Sequence, residues 1–598
     1  MIRNFVKYYL FWILFFVVQK PLFMLAQHKL LNGVTVADWL RVIWHAFPLD
    51  LSVASYVTIV FGLLMVCAYF CPARIIARIS TVYTALILLV CVTVFGIDVG
   101  VFPYWGFHPD KTLFIYLETP KEMFACAPWW VWVLGFAGIG LMWSGCMAVW
   151  RYWMRSQADM ERPAKWSQRI GRAVGMLVLT ASLFLPIRGS LTTSTMNTGR
   201  VYFSGNRILN QCAINPVFNI VESMSVLPFD TQRYTSMPSE EARKLVVDIL
   251  PRTTGSTEKM LRCTRPNIVF FILESFSSNA WDAMPNLGRL AEEGVCFSNA
   301  YASSFRTDRG VVAALSGFPG QPTSSLMLQP SKSRNLPQLS KSLAEEGYAL
   351  KFWHGGDEDF TNMRSYLISG GFMERVNDHS FPVTDRLTKW GVPDHILFAK
   401  AAEEIAHRSD TTPTLDVILS LSSHEPFEVQ TANRFDNPYL NSIAYTDSCL
   451  GAFVDTLRQT DAWQRTLLVF VADHGYPYPA SVQNHEPARY RIPIVWAGGA
   501  VAQHRQVPAL CSQIDLAPTL LAQMEIDHSP YLFGKNILDT ASVPFAFYSF
   551  NDGFALLTEQ DSVVIDAKAD RRVMGQNDDM EKHARAFMQC VMEEIERL

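Results

Sequence analysis

Hydrophobic positions follow two regimes along this chain. Before residue 190 they form five nearly unbroken runs, at about 5–26, 49–70, 76–98, 128–150 and 169–188, each near the length a helix needs to cross a bilayer. Beyond residue 265 they come in short runs of strand length: NIVFFIL, YALKFWH, LDVILSLSS, LLVFVAD and RIPIVWAG. Segments of helical period lie between or after them, namely MPNLGRLAEEG, LPQLSKSLAEEG, NPYLNSIAYTDSCLGAFVDTLRQT and DLAPTLLAQME. Strands apolar at every position are buried on both faces, so this alternation predicts an α/β sandwich with a mainly parallel central sheet. The runs FAFYSF and SVVIDA, followed by an amphipathic segment from about 579, predict a small extra sheet and a closing helix. Three regions result: a five-helix transmembrane domain over 1–188, a polar connector over 189–262, and an α/β domain over 263–598.

Charge decides how the first region sits. Ten Lys and Arg residues fall on one side: Arg3, Lys7, Arg74, Arg78, Arg151, Arg155, Arg162, Lys165, Arg169 and Arg172. Four fall on the other, Lys29, Arg41, Lys111 and Lys121. Cytoplasmic loops carry the excess, so the N-terminus is expected inside and everything after residue 190 outside the cytoplasm. The first run exceeds a signal-peptide core and shows no small-residue cleavage pattern, so it reads as a retained helix. A net charge of −4 gives no basic footprint, which argues against a nucleic-acid partner. The 11 cysteines show no paired spacing; seven of them, including Cys126, lie outside the spans, and an odd exported set cannot be a complete disulfide framework.

In a parallel sheet, sites lie beyond the carboxyl ends of the strands. Glu274 closes NIVFFILES and Asp473-His474 closes LLVFVADHG, which places two clusters of metal-ligand type at equivalent strand ends. Each alone can be a solvated strand end or a turn; together they suggest a metalloenzyme. Between them stands SSFRTDRGVVAALSGFP, where Thr307 precedes a helical run beginning near Gly310. A hydroxyl at a helix N-terminus faces unpaired N–H groups and suits phosphate, although an ordinary threonine N-cap would look the same.

The order Glu274, Thr307, Asp473-His474 resembles the alkaline phosphatase and sulfatase superfamily, and within it the lipoteichoic acid synthase-like phosphoglycerol transferases. LESFSS, SFRTDRG and VADHG carry that resemblance, with YTDSCLGAFV, RIPIVWAGG and QIDLAPTLL supporting it. It implies five membrane helices joined to an extracytoplasmic sulfatase-like (alkaline phosphatase-like) α/β domain, in a bacterial cytoplasmic membrane. It also implies one divalent ion, manganese first with magnesium or zinc as alternatives, held by Glu274, Thr307, Asp473 and His474, with Thr307 as nucleophile. The donor would be a membrane phospholipid, phosphatidylglycerol, and the acceptor a glycerol-phosphate polymer or a glycan. His424 in SSHEPF and Trp353 in KFWHGGDEDF match substrate-pocket positions. Where the synthases often carry arginine two places after that tryptophan, this chain has Gly355, so His354 and Arg309 become candidates for phosphate recognition. Phosphoethanolamine transfer is the alternative; a catalytically dead scaffold and sulfatase-like hydrolysis come lower, since sulfatases need Cys or Ser where Thr307 stands. A second metal set would have only His485 to draw on.

Overall fold

The computed structural model describes all residues except 112, 115–127, 156–162, 164, 228, 252–254 and 409–411. Lys121, Cys126 and Arg162 therefore lie outside the described residues. The chain divides into two compact units, Met1–Val226 and Leu227–Leu598, so the expected connector is shared between them.

The first unit contains five helices long and apolar enough to cross a membrane: α1 (Ile2–Ala26), α2 (Val36–Cys67), α3 (Ala73–Trp105), α4 (Trp129–Trp153) and α5 (Trp166–Arg188). They coincide with the five apolar runs, except that α2 begins 13 residues ahead of the run at 49. A capping box explains the earlier start: the Asp38 N–H donates to Thr35 Oγ1 at 3.3 Å and Asp38 Oδ2 accepts from the Thr35 N–H at 3.0 Å. Two charges within the runs, Lys20 and Asp50, are buried and paired. Lys20 Nζ lies 3.3 Å from Asp50 Oδ1 and donates to the Ile214 carbonyl at 2.9 Å, while Asn215 Nδ2 donates to Asp50 Oδ1 at 2.8 Å. Residues 207–215 are thereby fixed to this unit, as isolated charges among apolar helices would be costly.

The second unit is built on an eight-stranded sheet of order β5-β4-β6-β1-β7-β8-β2-β9. Its strands are β1 (Asn267–Leu273), β2 (Val295–Phe297), β4 (Ala349–His354), β5 (Glu374–Val376), β6 (Thr414–Leu419), β7 (Thr466–Ala472), β8 (Ile494–Ala497) and β9 (Arg505–Val507). The pair β3 (Ala300–Tyr301) and β10 (Cys511–Ser512) forms a small parallel sheet. In the main sheet β8 alone runs against the rest. β1 lies between β6 and β7, and β7 is buried at every position, as its uniform apolarity requires. A separate antiparallel sheet, β11 (Phe545–Phe550), β12 (Gly553–Thr558), β13 (Ser562–Asp566) and β14 (Arg571–Met574), is covered by the helix Asp578–Arg597. The strands β4, β6, β1 and β7 are parallel neighbours, so the loops after them open on one edge. No disulfide joins the described cysteines.

Candidate active site

The carboxyl ends of β1 and β7 bring Glu274 and Asp473-His474 together, their ligand atoms all within 4.8 Å of one another. Among the described residues this is the one group of three or more acidic, histidine or cysteine side chains with that spacing. Register makes it possible: Leu273 pairs with Ala472 across two parallel strands, so the next residue of each emerges at the same height. Ser275 then adopts φ +58°, a left-handed conformation that a serine holds only under constraint. The constraint is visible, because its N–H donates to Asp473 Oδ1 at 2.8 Å and its Oγ donates to Glu274 Oε1 at 2.7 Å.

Thr307 opens the helix α6 (Thr307–Ser316) three residues earlier than the sequence suggests, with Arg306 as its N-cap. Thr307 is thus the first helical residue and does not cap it, so its hydroxyl is available to donate to Glu274 Oε2 at 3.0 Å. Gly310 sets the distance between this helix and the loop that carries Asp473 and His474. A Cβ there would meet the Asp473 carbonyl oxygen at 2.0 Å, so only glycine allows α6 to approach the end of β7 so closely.

The donor set fits a hard divalent cation: two carboxylates, a hydroxyl and an imidazole. Asp473 is 0% exposed and its Oδ2 has no hydrogen-bond partner, which leaves a buried acceptor turned toward His474 Nε2 at 3.5 Å. His474 Nε2 is also 3.5 Å from Glu274 Oε1. Burial, reinforced by the Glu274 charge, pushes the Asp473 carboxyl well above its ordinary range. Burial pushes the Glu274 carboxyl the same way, but His474 and His424 outweigh it and hold this carboxyl low. Burial also pushes His474 down, toward the neutral ring that can act as a ligand.

His424 lies in the loop after β6, its Nδ1 2.9 Å from the Glu425 carbonyl and its ring 4.0 Å from the ring of Trp390. That loop is tied to the cluster through both neighbouring serines: the Glu274 N–H donates to Ser420 Oγ at 2.8 Å, and Ser423 Oγ donates to the Glu274 carbonyl at 2.5 Å. His354 ends β4 on the same edge, buried, with Nδ1 3.3 Å from the Leu419 carbonyl, and burial lowers its pKa. Trp353 is placed differently. It is 0% exposed, its indole N–H donates to Asp416 Oδ1 at 2.9 Å, and Lys351 Nζ sits 4.5 Å above its ring, which puts it in the core beside a strand carboxylate. Arg309 is 6% exposed, stacked 4.9 Å from Phe305, with Nε and Nη1 unpartnered. His485 is not in the three-residue cluster; its carbonyl accepts from Tyr548 Oη at 2.7 Å.

Three positioning residues are not among the candidate site residues named from the sequence, although two of them lie inside the motifs quoted there. Gln513 donates through Nε2 to the carbonyls of Ala472 and Asp473 and accepts the Ser303 N–H at 2.8 Å, linking the ligand loop to the chain ahead of Thr307. It sits in QIDLAPTLL, where the sequence signalled fold more than chemistry. Asp394, fully buried, accepts the N–H groups of Leu421 at 2.8 Å and Ser422 at 3.1 Å and so brackets the His424 loop. Ser275 is the third.

Residues 266–526 match the family model described as sulfatase. This part of the chain, somewhat under half of its length, is similar to that family. Within the sulfatase superfamily the likeness runs to the lipoteichoic acid synthase-like branch, as the motifs indicated. The chain is 23% identical over 320 residues to lipoteichoic acid synthase-like YvgJ of Bacillus subtilis, covering 47% of this chain and 51% of that protein. It therefore spans about half the length of that relative, and 22% of the length of arylsulfatase K from Gallus gallus, to which it is 28% identical over 116 residues. Two solved structures share the fold of the α/β unit. One is an alkaline phosphatase superfamily protein from Vibrio parahaemolyticus, with TM-score 0.54, 23% identity, and coverage of 62% of this chain and 98% of that one. The other is lipoteichoic acid synthase LtaP from Listeria monocytogenes, with TM-score 0.50, 18% identity, and coverage of 59% and 98%.

Proposed function

We propose that this chain is a membrane-anchored, metal-dependent transferase that moves the phosphoglycerol head group of phosphatidylglycerol to a hydroxyl acceptor, a glycan or a glycerol-phosphate polymer, through a phosphothreonine diester. The observation that carries the reading is Thr307 Oγ1, 3.0 Å from Glu274 Oε2 at the start of α6, beside Asp473 and His474. The names of the lipoteichoic acid synthase-like relatives support the same branch.

Thr307 Oγ forms a bond to the donor phosphorus as the bond to the diacylglycerol oxygen breaks, and its proton leaves along the hydrogen bond to Glu274. The departing diacylglycerol oxygen takes up a proton, in this reading from His424. In the second half an acceptor hydroxyl bonds to the phosphorus as the bond to Thr307 Oγ breaks; its proton passes to His424, and the proton held by Glu274 returns to the threonine oxygen. A divalent cation, manganese first, held by Glu274, Thr307, Asp473 and His474 would lower the pKa of the threonine hydroxyl and offset phosphate charge. The five helices keep the chain in the membrane that holds the donor, and the Lys/Arg bias supports a catalytic unit outside the cytoplasm.

The test is mass spectrometry of Thr307 peptides after incubation with phosphatidylglycerol and, separately, phosphatidylethanolamine. A phosphoglycerol adduct that an acceptor discharges supports the reading; a phosphoethanolamine adduct alone reassigns the head group. An adduct mapped to another residue such as Ser304, or none, overturns it.

A further inference from the structure

Next to His424 the site carries an aromatic wall that the reaction scheme leaves unused. Residues 388–392 fold across the end of β4 and lie directly on Gly355 and Gly356. The Val392 N–H donates to the Gly355 carbonyl at 2.9 Å, and Gly356 bridges Gly391. A Cβ at Gly355 would meet the Val392 oxygen at 2.2 Å, and one at Gly391 would meet the Gly355 oxygen at 2.3 Å, so any larger residue at either place would lift this loop. Gly391 in addition has φ +137°.

The loop fixes Trp390. Its indole N–H donates to the Glu425 carbonyl at 2.7 Å, its ring meets His424 at 4.0 Å with a 45° tilt, and Phe360, 36% exposed, packs edge-on at 5.6 Å. Trp390 itself is only half-buried. Two exposed carboxylates flank it: Glu425, whose Oε1 accepts from Tyr476, and Glu428, whose Oε2 accepts the Lys389 N–H. Lys389 beside Trp390 adds one exposed ammonium. A fixed indole beside a histidine and two carboxylates offers an apolar face with hydroxyl acceptors at its rim, which suits a neutral polyol ring and repels a polyanionic chain.

We propose that Trp390 is the acceptor platform, stacking a sugar ring of a neutral oligosaccharide so that one of its hydroxyls points past His424 to the phosphorus carried by Thr307. This rests on the transferase reading and selects the glycan over the glycerol-phosphate polymer as acceptor. The experiment is calorimetric titration of the full chain in nanodiscs with two neutral glucose oligomers, maltoheptaose and laminariheptaose, and with a glycerol-phosphate oligomer. The proteins compared are wild type, Trp390→Ala and Trp390→Phe. Expected are saccharide binding by wild type, a loss of about tenfold or more in Trp390→Ala, recovery in Trp390→Phe, and weaker binding of the glycerol-phosphate oligomer. Absence of saccharide binding in wild type, equal affinity in Trp390→Ala, or tighter binding of the glycerol-phosphate oligomer overturns the proposal. The Thr307 adduct is read separately, so a missing adduct strikes the transferase reading while the titration still decides the platform. With turnover, Trp390→Ala raises KM for the saccharide more than it lowers kcat.

Discussion

Thr307 separates structure from chemistry at the scale of one residue. It does not cap α6, so Thr307→Ala removes one hydrogen bond to Glu274 and no helix cap, a change of about 1 kcal/mol. In the proposed mechanism Thr307 is the covalent nucleophile, so its loss would remove the reaction path altogether. We expect the variant to lose head-group transfer completely while its thermal midpoint stays within a few degrees of wild type; normal turnover would remove Thr307 from the mechanism. Glu274→Ala and His474→Ala each delete a proposed metal ligand at a sheet rim whose core lies elsewhere. Both should lose bound metal, read by elemental analysis of the folded protein, and full metal occupancy in both would exclude them from the site.

The decisive contact between elements is that of α6 with the end of β7. Neither element holds the complete site: β7 delivers Asp473 and His474, α6 delivers Thr307, and Gly310 sets their separation. Gly310→Ala would drive a methyl group into the Asp473 carbonyl, and the helix must shift to admit it. Overpacking of this kind costs about 1–3 kcal/mol. We expect lower denaturant stability together with weaker metal binding, because Thr307 and Asp473 move apart. A variant with wild-type metal affinity would show that the helix start and the ligand loop are not coupled. The Asp394 bracket acts likewise on the loop after β6, since its carboxylate holds the backbone on which His424 is mounted.

For the whole molecule, two predictions address membrane orientation and metal dependence. A reporter fused after residue 200 should be active only outside the cytoplasm, given the bias of ten Lys and Arg to four, and activity inside would reverse the orientation. Removing the metal should destabilise the unit Leu227–Leu598 without unfolding the helices of Met1–Val226. A cation bound only by the folded state adds about 2.7 kcal/mol at a hundredfold excess over its Kd. Chelation should therefore lower the melting midpoint of the α/β unit, and re-addition of manganese should restore it. An unchanged midpoint would count against a metal at Glu274, Asp473 and His474.

By itself the sequence determined the five membrane-length helices, the α/β class, and the strand ends where Glu274 and Asp473-His474 emerge, because these follow from local apolar periodicity and from turn residues beside it. Thr307 was legible by its place in the order of motifs. The start of α6 at Thr307 was not, since it depends on how closely Gly310 lets the helix approach Asp473. Trp353 and Trp390 show the same limit from opposite sides. The first sits in a motif yet turns its indole to Asp416 in the core; the second lies in an unmarked loop yet stands against His424. Which face a side chain occupies, and which loop crosses which glycine, is fixed by strand register and by contacts between residues far apart in the chain, and only the tertiary structure decides those.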